Sequence, residues 1–157
     1  MSSLLSIVIV VQLSGLAAVQ KAERPPARYG VEARPEAYPQ TTPKETLASI
    51  IAAVEQKRLD YVLAHLTDPQ FVDRRVKDYY GGSFDELVRE ARGKFADNPA
   101  LVKEFERFLK EGEWEGGDGP AATARLKDLK TRLMFFRKID NRWFLENRQK
   151  PEAGQHK

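Results

Sequence analysis

Leu47, Ile50, Ile51 and Val54 recur at i, i+3, i+4 and i+7, a spacing that predicts a helix over 43–57 with one apolar face. Its start is marked by Thr42-Pro43-Lys44-Glu45: a Thr cap, Pro at the first helical position and Glu three residues after the cap. After a break at 57–60, Asp60 can cap a second helix with Val62, Leu63 and Leu66 inward. Thr67-Asp68-Pro69 ends it, because Pro cannot continue the hydrogen-bond ladder. Phe71, Val72 and Val76 predict a third, short helix stopped at Gly81-Gly82. Ser83-Phe84-Asp85-Glu86 is a second capping box, opening a helix with Leu87, Val88, Ala91 and Phe95 inward. Asn98-Pro99 begins a fifth helix with Leu101, Val102, Phe105, Phe108 and Leu109, and Gly112 stands in a C-terminal capping position.

Beyond Gly112 the period changes. Residues 112–120, GEWEGGDGP, hold four Gly and three acids and read as a flexible turn. Ala122, Ala124 and Leu126 then alternate with Thr123 and Arg125, as in a half-buried strand. Two β-prone runs flank Asp140-Asn141 in RLMFFRKIDNRWFLENR, residues 132–148, which predicts a hairpin. A three-residue loop, Ile139 to Asn141, pairs Phe136 with Phe144 and Phe135 with Leu145. A two-residue loop sets Phe135 against Glu146 and Lys138 against Trp143. Apolar pairing favours the first register, since a good cross-strand pair contributes roughly 0.2–1 kcal/mol. One face then carries Leu133, Phe135, Trp143 and Leu145, and the other Met134, Phe136 and Phe144. Both are apolar at their centres, so something must cover the second.

These elements predict an α+β domain over 42–150, with N-terminal helices packed on a C-terminal antiparallel sheet of three to four strands. Ahead of it, residues 3–20 carry no charge and hold an apolar core of signal-peptide length, Leu4 to Leu13. We read 1–20 as an export signal or membrane anchor, which places the chain in the periplasm or outside the cell. Membrane contact would be only through 3–20 if uncleaved. Residues 21–41, with four Pro and mixed charge, read as a linker, and 151–157 as a disordered tail.

Composition narrows the chemistry. There is no cysteine, which removes disulfides, thiolate metal sites and a Cys nucleophile. The two histidines, His65 and His156, are too few for a His-rich metal site, and neither a metal nor a cofactor is expected. The acids at 111, 113, 115 and 118 lack calcium-loop spacing. Residues 43–123 hold 12 Lys or Arg against 16 Asp or Glu, and residues 124–150 hold 9 against 3, so an acidic middle faces a basic end. The aromatics of 132–148, interleaved with cations, invite comparison with a nucleic-acid platform. The run RLMFFRKI lacks the glycines of an RNP-type motif, and rings opposed across a turn are more simply a packed core, so no nucleic acid is expected.

Residues 42–69, TPKETLASIIAAVEQKRLDYVLAHLTDP, together with the closing LMFFRKIDNRWFLENR, resemble the opening helices and terminal hairpin of NTF2-like (cystatin-like α+β cone) domains. The resemblance spans 42–69 and about 121–148. It implies a curved sheet wrapped around the first helix, with a pocket at the open end. Some relatives are isomerases or dehydratases using Asp, Tyr or His there, whereas others only bind ligands or partners. No catalytic motif carries over.

The leading expectation is an exported, non-enzymatic domain that binds a protein partner or a small apolar ligand. Tyr79, Tyr80, Met134, Phe136 and Phe144 are its candidate contact residues. The alternative is an isomerase or hydro-lyase with a pocket near His65, Asp78 and Tyr79, where His65 has a suitable ordinary pKa and Asp78 would act as base. A homodimeric structural module is a third expectation.

Overall fold

The computed structural model describes residues 24–129 and 131–148. The expected export segment and the C-terminal tail lie outside the described residues. Among the described residues, five helices precede a four-stranded antiparallel sheet, which establishes the α+β class. Helix α1 spans Pro43–Glu55, and Thr42 caps it by accepting from the Glu45 N–H at 3.1 Å. The Glu45 carboxylate reaches back to the Thr41 N–H at 3.1 Å, one residue before the cap. A short α2, Leu59–Tyr61, runs into a π-helical turn, Val62–Leu66. Asp60 does not cap α2. It accepts from Arg58 at 3.0 Å instead. Asp68 caps α3, Pro69–Tyr79, and Ser83 caps α4, Phe84–Asp97. Helix α5, Ala100–Glu111, ends with the Gly112 N–H bonded to the Phe108 carbonyl.

The sheet is a meander in the order β1 (Glu113–Gly116), β2 (Ala121–Arg125), β3 (Leu133–Ile139), β4 (Arg142–Glu146). Part of the expected flexible turn is therefore a strand. Trp114 pairs with Ala124, and Gly116 takes a left-handed φ of 81° where an added Cβ would lie 2.5 Å from the Ala121 carbonyl oxygen. Only glycine permits that approach.

The hairpin register also differs from the expectation. Phe136 pairs with Leu145, Arg137 with Phe144 and Lys138 with Trp143, across a two-residue turn. Asp140 and Asn141 both have positive φ, 48° and 61°, the signature of a type I′ turn whose twist matches that of the strands. Turn geometry outweighed the apolar pairing count. A one-residue slip exchanges the faces of a strand. Met134 and Phe136 thus share the helix-facing side with Ala122, Ala124 and Trp143, while Phe135 and Phe144 lie on the other.

Helix α1 holds the interior together. Leu47 and Ile51 pack on the sheet with Phe108 of α5. Ile50 and Ala53 pack instead with Tyr38, Leu59, Tyr61 and Leu66. A third cluster joins Ala64 of the π turn to Val72, Val76, Phe84, Leu87 and Val88. Tyr38 comes from the segment expected to be a linker. Residues 24–41 are in fact a strap laid on the domain: Ala33, Tyr38 and Gln40 are buried, and the Arg34 N–H donates to the Tyr61 hydroxyl at 2.9 Å. Its sparse apolar residues sit among prolines, so no periodicity announced them.

The strap and the chain after the π turn together cover the outer edge of β4. The Trp143 N–H donates to the Gln40 carbonyl at 3.0 Å, and the Asp68 N–H donates to the Leu145 carbonyl at 2.9 Å. Such cover satisfies backbone groups that an open edge would leave to other chains.

Candidate functional site

The expected contact residues do not form one surface. Phe136 and Phe144 are 0% and 3% exposed, closed in by the protein's own atoms. Phe144 is the ring that needed a cover, and Arg142 lies 5.1 Å from its centroid. Met134 is also buried, yet it lines the floor of a cleft described below. Tyr79 is 70% exposed with the Arg75 guanidinium 4.6 Å over its ring. Tyr80 donates its hydroxyl to Glu90, which pushes the Tyr80 pKa up.

The three residues of the alternative reading are likewise not brought together. Asp78 and Tyr79 share a shallow recess of about 320 Å³ with Phe71, Arg74, Arg75 and Asn147. His65 is not among its walls. It is 1% exposed on the π turn, packed 4.9 Å from the Tyr61 ring, and its Nε2 donates to the Val31 carbonyl at 2.7 Å. Burial pushes its pKa below the ordinary value, against the opposing effect of the bond to Val31. This histidine ties the strap to the core, and its ring reaches no cavity that holds Asp78 or Tyr79. Of the acids at 111, 113, 115 and 118, Glu113 and Glu115 are ion-paired across the β1–β2 hairpin, meeting Arg125 at 2.9 and 3.3 Å.

What the fold does assemble is an apolar cleft at the end of the sheet where β3 begins and β4 finishes. It measures about 440 Å³. Leu133, Phe135 and Leu145 of the sheet form one side. Leu63 of the π turn, Phe71 of α3 and Phe105 of α5 face them. These six are half-buried or, in Leu133, exposed at 44%. Its rim carries the only charged lining groups among the described residues, Glu146 and Arg148, paired at 3.0 Å, with the Arg148 guanidinium 4.6 Å from the Phe135 ring.

Each of the six was legible as apolar within its own element. The signal for the cleft was a surplus: the strand run 133–136 is apolar on both faces, and only one face is needed for the core. That Leu63 and Phe71 would meet the strand ends depends on the Thr67 to Leu145 bridge, a pairing across 78 positions that no local pattern encodes.

Apart from the Glu146–Arg148 pair, no titratable group lines this cleft among the described residues, and no cluster of three or more metal-ligating side chains occurs among them. Also among the described residues, no helix is long and apolar enough to cross a membrane. No family model matches the chain, and neither a curated protein nor a solved structure matches it significantly.

Proposed function

We propose that this domain binds a small apolar ligand in the cleft between the end of the sheet and the π turn, without acting on it chemically. One observation carries the reading: six apolar side chains from five separate elements remain incompletely covered around a single hollow of about 440 Å³. Ligand sites are commonly hollows of about 300–1,000 Å³ with mostly apolar walls and a few polar groups at the rim. Burying a half-covered Leu or Phe completely would gain on the order of 1 kcal/mol for each side chain. The Glu146–Arg148 pair at the rim offers both a hydrogen-bond acceptor and donors to fix orientation. The apolar run at 3–20 supports export as the setting for this role.

The test is a titration of the full chain with N-phenyl-1-naphthylamine, a neutral fluorophore that brightens in apolar surroundings. Saturable enhancement is expected for the native sequence. Leu133→Glu, which sets a charge at the exposed margin of the cleft, should abolish it while thermal melting shows the fold retained. Absence of saturable binding, or binding unaffected by L133E, would refute the proposal.

A further inference from the structure

A second hollow adjoins the first cleft, with Phe95 lining both. It measures about 600 Å³ and is walled by Val54 of α1, Leu59 of α2, Phe95 and Ala96 of α4, and Val102 of α5. Two cations complete its lining, Lys57 and Arg92. Neither forms an ion pair among the described residues. The nearby acid, Asp60, is engaged by Arg58 at 3.0 Å, and Arg92 acts on it only through its field. An apolar trough bordered by two cations that no ion pair engages among the described residues is complementary to a molecule with a hydrocarbon body and an anionic end.

The backbone at Lys57 is an independent indication. Helix α1 closes in a Schellman motif: the Arg58 N–H bonds to the Ala53 carbonyl at 2.7 Å, and the Lys57 N–H to the Val54 carbonyl at 2.9 Å. The left-handed position of that motif is usually glycine, yet here it is Lys57, with φ of 60°. A long side chain held in a strained conformation beside a hollow is the pattern expected where the side chain serves a site. A lysine there also suits the negative end of the helix dipole, but a lysine anywhere in the last turn would do the same without strain.

We infer that the hollow between α1 and the α4–α5 corner binds a single-chain carboxylate amphipath of the fatty-acid type, its head group between Lys57 and Arg92 and its chain along Val54, Leu59, Phe95 and Val102. The site is separate from the first cleft apart from the shared Phe95 wall, and it stands whether or not that cleft is occupied.

The experiment is calorimetric titration of the full chain with dodecanoate, dodecanol and acetate at low and high salt. Dodecanoate should bind, more weakly at high salt, whereas dodecanol and acetate should bind far less. Lys57→Asn removes the charge with a residue that tolerates the left-handed region. It should leave the melting temperature unchanged or raised while weakening dodecanoate up to about fivefold. Arg92→Gln should do the same, and the double variant should weaken binding about tenfold. Lys57→Arg should restore affinity. Ala96→Trp, at an exposed wall position on α4, should fill the hollow and abolish binding. No binding of dodecanoate, equal binding of dodecanol, or indifference to K57N, R92Q and A96W would each overturn the inference. Loss of dodecanoate binding in L133E with retention in A96W would assign the ligand to the first cleft and overturn it too.

Discussion

The two flanks of α1 are built on different principles. On the strap side, the six polar residues buried among the described residues each have a hydrogen-bond partner, while the Nε atoms of the less buried Arg28 and Arg137 are left without one. Gln40 donates to the His65 and Trp143 carbonyls at 2.9 and 2.7 Å. Ser49 donates to the Pro39 carbonyl at 2.8 Å, Thr46 to Thr42 and Thr67 to Val62 at 3.0 Å each. His65 reaches Val31, and Asp68 accepts from Gln70 at 2.9 Å and pairs with Arg137. The α4–α5 corner has no such network. After Val88 no residue of α4 is buried, and Ala91, Phe95, Leu101, Val102 and Phe105 are all half-covered. A satisfied polar network specifies one arrangement, because each lost partner leaves a buried group unpaired. Apolar contacts are not directional, and a loosely covered set of them can adjust around a guest. The second hollow lies on the adjustable side, and the first reaches it through Phe95, Leu101 and Phe105.

The contrast can be broken first at its most tightly packed point. Phe136→Ala, in the interior, should cost about 3–5 kcal/mol in urea denaturation. Phe95→Ala, at the corner, should cost only about 1 kcal/mol. Equal losses would mean that the corner is as firmly packed as the core.

Gln40→Ala should cost about 1–3 kcal/mol, since it leaves the buried His65 carbonyl without its side-chain donor and weakens the strap's hold on β4. Limited proteolysis should then cut the strap before the corner.

His65 gives the strap side an acid dependence. Its pKa is lower in the folded state than in the unfolded chain, so unfolding takes up a proton in the interval between the two values. Stability is therefore full above the unfolded value of about 6.5 and declines as pH falls through the folded value. His65→Gln should flatten the change in urea midpoint between pH 7 and pH 5, and an unchanged slope would remove His65 from this role.

The smallest expected effect lies outside both flanks. Asn141→Gly should raise stability by up to about 1 kcal/mol, because glycine suits the second left-handed position of a type I′ turn.

Elements whose boundaries rest on local chemistry were legible in the sequence. Thr42, Pro43 and Glu45 announced α1, and Ser83 and Glu86 announced α4, because caps act within four residues. The hairpin was legible as a hairpin, but its register was not. Cross-strand apolar pairing and the conformational demand of Asp140-Asn141 pointed to different loops, and the turn prevailed. Strand β1 escaped notice because Trp114 is its only large apolar residue between two glutamates and a glycine. The strap was hidden by its prolines, and its contacts with Tyr61, His65 and Trp143 are all long-range. The clefts were invisible for the same reason. Their walls are ordinary helix and strand residues, and only the tertiary fold decides which stay uncovered.

With the Trp143 and Leu145 backbone groups already claimed on one border of the sheet, any second polypeptide that extends it by main-chain pairing must do so alongside Glu113–Gly116. That border is four residues long, and its two carboxylates are ion-paired with Arg125 and Lys127. The fold thereby narrows main-chain pairing from outside to that one short strand.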